Sequence, residues 1–247
     1  MPSESNSHGN PHGNVHANSH ANPHTNPHTN PNPYALYIVT DIKVSGGLSH
    51  ERQAELCFAG GCDALQLREK DTGYEGLIAT AKNIVALKQL FERENPNYHP
   101  LFFVNDNIDV AVKSGANGVH LGQDDMPLSE ARRLMPKSTG FLIGISVGNV
   151  EEALRAAADG ADYVALSPVF DTTSKDDAGS GKGLKMLSEI RKAVGNDFPV
   201  IAIGGINASN AKSVMDAGSD GCAVISAVLA KPDVTAAVRE LRKIILS

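Results

Sequence analysis

Cations and carboxylates recur in this sequence just after short apolar runs. Arg68 and Lys70 follow one such run, and Lys175 lies in a polar segment further along the chain. Guanidinium and ammonium groups are suited to binding phosphate oxygens. Asp106 and Asp125 supply hard oxygen ligands of the kind that Mg²⁺ takes when it is shared with a diphosphate. Together these residue types predict a site that binds a diphosphate and Mg²⁺.

Small residues further along the chain predict a second site for an anion. Gly204 and Gly205 follow a buried run, and Ser226 follows the next run. Glycines let backbone N–H groups approach an anion closely, and the N-terminus of a helix adds a favourable dipole. A second phosphate, separate from the diphosphate, is the ligand that this combination favours.

Each of these features also has a simpler interpretation. Arg68 could form a surface ion pair with Glu69, and Asp106 could cap a helix that begins near Asn107. The glycine pair 204–205 could merely turn the chain. The segment 179–183 has the composition of a phosphate loop but fails the P-loop pattern, because glycine stands where serine or threonine is required.

Short apolar runs predict the strands that must position these residues. There are eight such runs: Ala35–Val39, Ala64–Arg68, Leu101–Asn105, Gly118–Leu121, Leu142–Ser146, Tyr163–Leu166, Val200–Ile203 and Gly221–Ile225. Amphipathic stretches between them predict helices. These include Tyr74–Arg93, Asn107–Ser114, Val150–Ala158, Leu184–Val194 and Ala208–Ala217.

The alternation of strand and helix predicts parallel pairing through right-handed crossovers. Eight units within residues 34–247 predict an α/β fold of the (β/α)8 TIM-barrel type, as a single catalytic domain. An open doubly wound sheet is the alternative, but its G-x-G-x-x-G signal is absent after the first strand. In a barrel, the polar residues that follow the strands all lie on the C-terminal face, where active sites are built.

Composition narrows the function classes. The net charge of −6 gives no basic footprint for nucleic acid, and no run of 18 apolar residues predicts a membrane span. The three cysteines form no C-x-x-C pair, so we expect reduced residues in or near the core of a cytoplasmic protein. We predict small-molecule substrates and no nucleic-acid or membrane partner. The oligomeric state stays open, a homo-oligomer included.

The first 33 residues differ from the rest of the chain. Histidines recur at every fourth position from His8 to His28, each followed two residues later by asparagine. Prolines interrupt the segment and apolar side chains are almost absent, which predicts a disordered tail for residues 1–33. The imidazoles could bind zinc, nickel or copper loosely, or the tail could be solvated and without a catalytic role.

Five motifs of the chain resemble the thiamine phosphate synthase family, in order and with compatible spacing. They are Gln66–Lys70, Val104–Asp106, Gly118–Asp125, Thr172–Lys175 and Ala202–Ile206. The likeness spans roughly residues 34–233. It implies a (β/α)8 fold, Mg²⁺ as cofactor, and a transferase that condenses hydroxymethylpyrimidine diphosphate with a thiazole phosphate.

The resemblance also implies roles for individual residues. The pyrimidine diphosphate would be held by Gln66, Arg68, Lys70, Asn105 and Lys175, with Ser146 near the pyrimidine. Asp106 and Asp125 would ligate Mg²⁺, although Asp124 could exchange roles with its neighbour. The thiazole phosphate would be held by Thr172, Ser174, Gly205 and Ser226. Arg68, Lys70, Lys175 and Ser146 are the expected catalytic residues.

The chain departs from the family pattern at a few positions. Ser174 stands where threonine is expected, and Ser167 replaces a glycine before Pro168.

The family reaction is expected to be dissociative, with diphosphate leaving before the thiazole nitrogen attacks. His120 lies within a predicted strand and is expected to be a packed residue. A thiazole tautomerase is the first alternative function. It is disfavoured because that enzyme is expected to use a histidine just beyond strand 5, where this chain has Ser146, Val147 and Gly148. A non-catalytic regulator would not need the full set of ligands.

Overall fold

The computed structural model of the chain describes residues 32–172 and 180–247. The strands are β1 Leu36–Val39, β2 Ala64–Leu67, β3 Leu101–Asn105, β4 Gly118–Leu121, β5 Leu142–Val147, β6 Tyr163–Leu166, β7 Val200–Ile203 and β8 Gly221–Val224. The helices are α1 His50–Gly60, α2 Tyr74–Glu94, α3 Ile108–Ser114, α4 Leu128–Leu134, α5 Val150–Ala158, α6 Gly183–Val194, α7 Ala211–Asp216, α8 Ser226–Leu229 and α9 Val234–Ile245.

The strands form a closed parallel barrel. Each strand pairs with the next along the chain, and β1 pairs with β8 to close the ring. At the closure Leu36 lies opposite Cys222 and Ile38 opposite Val224. The predicted (β/α)8 barrel is therefore confirmed, and the open-sheet alternative is wrong because β1 and β8 leave no free edge between them.

Burial explains why the strands read as continuous apolar runs. Every residue of β1, β2, β4, β6, β7 and β8 is buried. Helices cover the outer face of a parallel barrel while side chains fill its interior, so the alternation seen in half-exposed strands is absent. The large aromatic rings of Tyr37, Phe102, Phe103 and Tyr163 are fully buried in this core.

Local capping sets several helix ends. The Asn107 side chain accepts a hydrogen bond from Val110 N at 3.0 Å, so it caps the N-terminus of α3. The alternative reading of Asp106 as this cap is therefore wrong. The Asn149 side chain caps α5 in the same way, and Gly61 and Gly115 end α1 and α3 in left-handed backbone conformations.

A few predicted boundaries differ from the structure. β2 ends at Leu67 rather than Arg68, and β8 ends at Val224 rather than Ile225. α7 begins at Ala211, three residues later than predicted, because the segment before it forms a turn. In that turn the Asn207 side chain accepts hydrogen bonds from the backbone and hydroxyl of Ser209.

Other sequence-based expectations also have structural outcomes. Cys57, Cys62 and Cys222 are buried and form no disulfide with one another, as predicted. Burial raises the pKa of the Cys57 and Cys222 thiols to about 12, which keeps them protonated. Among residues 32–172 and 180–247, no helix combines the length and apolar character needed to cross a bilayer.

Candidate active site

Most of the predicted diphosphate-site residues meet in one cleft at the C-terminal end of the barrel. The cleft has a volume of about 440 Å³. Its lining comprises Arg68, Lys70, Asn105, Asp106, His120, Gly122, Gln123, Asp124, Asp125, Ser146, Val147, Gly148, Glu152, Ser167, Pro168 and Lys182. Barrel closure therefore brings together side chains that are more than a hundred positions apart in the sequence, from Arg68 to Lys182.

The cationic side of the cleft is built by the segment that follows β2. The Arg68 guanidinium lies 3.3 Å from the Asp41 carboxylate, and both side chains are largely buried. The Arg68 backbone N–H donates to Thr40 Oγ1 at 3.2 Å. Arg68 is thus tethered to the end of β1, and the alternative surface ion pair with Glu69 is wrong. Lys70 lines the same cleft two residues later.

Glu69 is not among the residues that line the cleft, and it anchors the segment that carries Arg68 and Lys70. Its carboxylate lies 3.0 Å from His50 Nε2 and accepts a hydrogen bond from Asp71 N at 2.6 Å. Burial opposes ionisation of this carboxyl, but the hydrogen bonds from Asp71 and His50 outweigh it, so the pKa of Glu69 is lowered. The ionised Glu69 therefore fixes the backbone that carries Arg68 and Lys70.

The acidic side of the cleft follows β3 and β4. Asp106 has a φ of 61°, a left-handed conformation that is uncommon outside glycine, and its N–H donates to His120 O at 2.8 Å. Asp125 Oδ2 accepts a hydrogen bond from Gly122 N at 2.6 Å. Asp124 lines the same cleft. All three carboxylates therefore line the same cleft as Arg68 and Lys70.

The chemistry of this donor set fits Mg²⁺. Mg²⁺ is usually held by one or two carboxylates together with substrate phosphates and water. In the described ranges 32–172 and 180–247, no cluster of three or more His, Cys, Asp or Glu side chains is arranged to hold a metal. Asp106 and Asp125 supply two carboxylates to the cleft, the number that such a shared site requires.

The floor of the cleft is polar. Ser146 Oγ lies 3.0 Å from His120 Nε2, while His120 Nδ1 lies 3.0 Å from the hydroxyl of Tyr163. His120 is only 8% exposed, in agreement with the predicted packed histidine. Gln66 is 4% exposed and lies in the barrel interior, where its amide N–H donates to Tyr37 OH at 3.0 Å.

A second cavity adjoins the first and contains predicted thiazole-phosphate residues. It is lined by Ser167, Pro168, Thr172, Ile203, Gly204, Gly205, Ile206, Ala223, Val224, Ile225 and Ser226. Ser167 and Pro168 line both cavities, so the two sites share a wall. Residues predicted for the two anion sites therefore line two adjoining cavities.

The glycine pair in the second cavity does more than turn the chain. Gly204 and Gly205 have φ values of 105° and 65°. A Cβ atom on Gly204 would lie 2.4 Å from Pro168 Cβ, and one on Gly205 would lie 2.7 Å from Asp171 O. The chain after β6 hydrogen-bonds here, with Phe170 N donating to Gly204 O at 3.1 Å. Both glycines are needed for this close approach.

Comparison with known proteins identifies the family. The family model described as thiamine monophosphate synthase matches residues 36–228. The chain belongs to the thiamine monophosphate synthase family. It is 53% identical to the thiamine-phosphate synthase of Methanoculleus marisnigri over 85% of this chain and 94% of that protein. It is 52% identical to the thiamine-phosphate synthase of Methanocella arvoryzae over 86% of this chain and 95% of that protein.

A solved structure supports the same assignment. The thiamine phosphate pyrophosphorylase from Pyrococcus furiosus superposes with a TM-score of 0.76 at 38% identity, covering 87% of this chain and 96% of that one. The predicted family and its activity, formation of thiamine phosphate by a transferase, are therefore confirmed.

Two of the predicted site residues are not described by the structure, and two residues of the cleft were not predicted. Ser174 and Lys175 lie outside the described residues. Lys182 and Glu152 line the cleft, although the sequence did not single them out. Lys182 belongs to the glycine-rich segment 179–183. That segment does not match the P-loop pattern, so its lysine was not predicted to bind phosphate. Nothing in the sequence marked Tyr37 or Tyr163 as polar neighbours of the site.

Proposed function

We propose that this chain joins hydroxymethylpyrimidine diphosphate to hydroxyethylthiazole phosphate by a dissociative, magnesium-assisted reaction. The observation that carries the proposal is the cleft itself. Its lining combines two cations, Arg68 and Lys70, with the carboxylates of Asp106 and Asp125 and the hydroxyl of Ser146. That arrangement suits a diphosphate leaving group whose metal ion is shared between substrate and protein.

Each group in the cleft then has a task. Arg68 and Lys70, with Asn105 beside them, would bind the diphosphate oxygens and stabilise the charge that builds up as the diphosphate departs. Lys175 is proposed to join them. Asp106 and Asp125 would hold Mg²⁺, which when bound supplies additional positive charge to the leaving group. Ser146 and Gln66 would hold the pyrimidine ring.

Residues of the second cavity would bind the phosphate of the other substrate. Thr172, Gly205 and Ser226 line it, and Ser174 is proposed as a further ligand of the thiazole phosphate. Because Ser167 and Pro168 lie between the two cavities, substrates bound in both would be neighbours. Holding two reactants side by side lowers the entropic cost of joining them.

No general base is required in this reaction. The thiazole nitrogen attacks with its own lone pair, so no proton has to be removed to activate it. The ring nitrogens of His120 both lie at hydrogen-bonding distance from other side chains, Tyr163 and Ser146, which supports a structural role.

A homo-oligomer and a cytoplasmic location remain predictions from the sequence.

The dissociative step is tested with substituted pyrimidines. An electron-withdrawing group on the ring destabilises the pyrimidine-methyl cation that forms when diphosphate leaves. We expect single-turnover rates to fall by about 10²-fold or more with little change in substrate affinity, since about 2.7 kcal/mol of barrier corresponds to that factor. Rates that stay flat across substituents and rise with thiazole nucleophilicity would instead show a concerted displacement.

A further inference from the structure

A chain of hydrogen bonds crosses the barrel interior and connects two of the proposed pyrimidine ligands. Gln66 Nε2 lies 3.0 Å from Tyr37 OH, which lies 3.0 Å from Tyr163 OH. Tyr163 OH in turn lies 3.0 Å from His120 Nδ1, and His120 Nε2 lies 3.0 Å from Ser146 Oγ. We call these five residues the interior relay. It begins on β2 and ends on β5, beneath the cleft.

Gly144 provides the space that the relay needs. In the sheet it lies between His120 on β4 and Tyr163 on β6, opposite both. A Cβ atom on Gly144 would lie 2.0 Å from Tyr163 Cζ and 2.4 Å from its hydroxyl. The missing side chain lets the Tyr163 ring stack on His120, with ring centroids 5.6 Å apart. Any larger residue at position 144 would break the chain of hydrogen bonds.

Because the relay is buried, each of its hydroxyl protons needs an acceptor within the protein or its ligand. Tyr37 is 1% exposed and Tyr163 is fully buried, so bulk water cannot replace a missing hydrogen-bond partner. Burial also raises the pKa of both phenols. For Tyr37 this effect outweighs the hydrogen bonds with Tyr163 and Gln66, which lower its pKa. Both tyrosines therefore remain neutral, and each has one proton to donate and lone pairs that can accept.

The amide of Gln66 fixes the direction of donation. Its nitrogen can only donate, so Tyr37 OH accepts from it, and the Tyr37 proton is left for Tyr163. If Tyr163 donated to Tyr37 instead, the buried Tyr37 proton would lack an acceptor within residues 32–172 and 180–247, at a cost of about 1–3 kcal/mol.

The same direction then continues to the cleft. Tyr163 donates to His120 Nδ1, which places the imidazole proton on Nε2. His120 Nε2–H donates to Ser146 Oγ, and the Ser146 hydroxyl proton is left to point at a ligand in the cleft. At the other end, the Gln66 amide nitrogen is engaged, which leaves its oxygen as the acceptor.

We propose that the interior relay makes Gln66 a hydrogen-bond acceptor and Ser146 a donor towards the pyrimidine, and so selects a ring with an amine over one with a carbonyl. The proposal rests on the proposed function, because it takes the pyrimidine as the ligand of these two residues. An aminopyrimidine offers an exocyclic N–H donor and a ring-nitrogen acceptor, which complement that pair. Tyr37, Tyr163 and His120 are positioning residues in this scheme.

The selectivity is measured with two probes in the absence of the thiazole substrate. One is the aminopyrimidine diphosphate and the other is its pyrimidinone analogue, in which a carbonyl replaces the amine and a ring N–H replaces the acceptor. We expect calorimetry on the wild-type protein to show binding of the amine that is at least about 100-fold tighter, because buried polar groups reject a mismatched pattern strongly.

Two matched variants separate the relay from ordinary packing. Tyr163→Phe removes one relay oxygen and should reduce the amine-over-carbonyl selectivity at least tenfold. Tyr34→Phe removes the same atom from a neighbouring buried ring, 5.0 Å from Tyr163 between centroids, and should keep wild-type selectivity. Unchanged selectivity in Tyr163→Phe would overturn the proposal, as would an equal loss in both variants.

The tautomer of His120 provides a readout that needs no substrate. Nitrogen NMR of the ligand-free, histidine-labelled protein should show a neutral imidazole protonated at Nε2, with the signal assigned by its loss in His120→Asn. Protonation at Nδ1 alone, or at both nitrogens, at pH 7 would overturn the relay direction. A wild-type protein that forms no thiamine phosphate would contradict the proposed function, while the tautomer would still decide the direction of the relay.

Discussion

Asp106 combines a proposed metal ligand with an unusual backbone. Its φ of 61° lies in the left-handed region, where asparagine and aspartate are the best tolerated residues after glycine. Its N–H donates to His120 O, which fixes the backbone of this residue at the lining of the cleft. Asp106→Asn therefore removes the charge while preserving a conformation that the new residue accepts.

We predict that Asp106→Asn raises the Mg²⁺ concentration needed for half-maximal activity by about an order of magnitude, because a neutral amide is a poor ligand for a hard cation. The measurement is turnover against free Mg²⁺, with thermal unfolding as a check on the fold. Asp109→Asn is the matched control, since Asp109 is half-exposed on α3 and pairs with Lys113. An unchanged Mg²⁺ requirement in Asp106→Asn would refute the metal assignment.

Lys175 is expected to act mainly on the departing diphosphate. An interaction that strengthens only in the transition state raises kcat and leaves KM nearly unchanged. Lys175→Ala should therefore lower kcat by about 10²-fold, the usual cost of removing one such donor. Lys185→Ala, on a side chain that is 90% exposed on α6, should behave as wild type in the same steady-state assay. A change confined to KM would make Lys175 a binding residue only.

At the scale of elements, the segment after β2 depends on the buried contact between His50 and Glu69. The lowered pKa of Glu69 means that its ionised form stabilises the folded protein. That stabilisation is fully present above the unfolded carboxyl pKa, about 4.3, and is lost as the pH falls through the lower folded pKa. The contact should therefore contribute at neutral pH and fade in acid.

Glu69→Gln should lower the free energy of unfolding at pH 7 by about 1–3 kcal/mol, the range for hydrogen bonds to a charged group. The difference from wild type should shrink as denaturant unfolding is repeated at pH values below about 4.3. Glu55→Gln is the control, because Glu55 pairs with Arg52 at an exposed position on α1. A deficit that is the same at every pH would show that ionisation of Glu69 does not matter.

Strand positions could be predicted from the sequence because both faces of each strand are buried. Four strands, including Leu101–Asn105 and Val200–Ile203, match their predicted bounds. The start of α7 could not be predicted from amphipathic spacing, since the Asn207 side chain competes for the local backbone. Asp106 likewise looked like a cap, whereas Asn107 fills that place.

Site residues were predictable where they follow a strand and carry charge. Arg68, Lys70, Asp106 and Asp125 could be grouped because a barrel gathers the carboxyl ends of its strands on one face. The interior relay could not be predicted, because Tyr37 and Tyr163 read as ordinary core aromatics. Only closure of the barrel brings their hydroxyls within 3.0 Å.

In the molecule as a whole, Asn32 connects the N-terminal segment to the barrel. The Asn32 side chain donates to Asp220 O, and its oxygen accepts from Tyr34 N at 3.1 Å. Asn32 lies ahead of the predicted start of the barrel domain at residue 34. We therefore expect residue 32 to contribute to stability.

Deletion of residues 1–31 should leave kcat and the melting temperature unchanged, because that segment has too few apolar side chains to form a core. Deletion of residues 1–32 should leave kcat unchanged but lower the melting temperature by a few degrees, through loss of the Asn32 contacts. Steady-state kinetics and calorimetry on the two truncations provide the comparison. A tenfold loss of kcat in the shorter deletion would give the tail a catalytic role.

The most direct test measures both products with the full-length protein. The protein is incubated with hydroxymethylpyrimidine diphosphate and hydroxyethylthiazole phosphate, with and without Mg²⁺, and with each substrate alone. We predict equal amounts of thiamine phosphate and diphosphate only when both substrates and Mg²⁺ are present, and recovery of activity when Mg²⁺ is restored after chelation. Thiamine phosphate formed at full rate in a chelator would contradict the metal-assisted mechanism, and its absence in every mixture would contradict the proposed function.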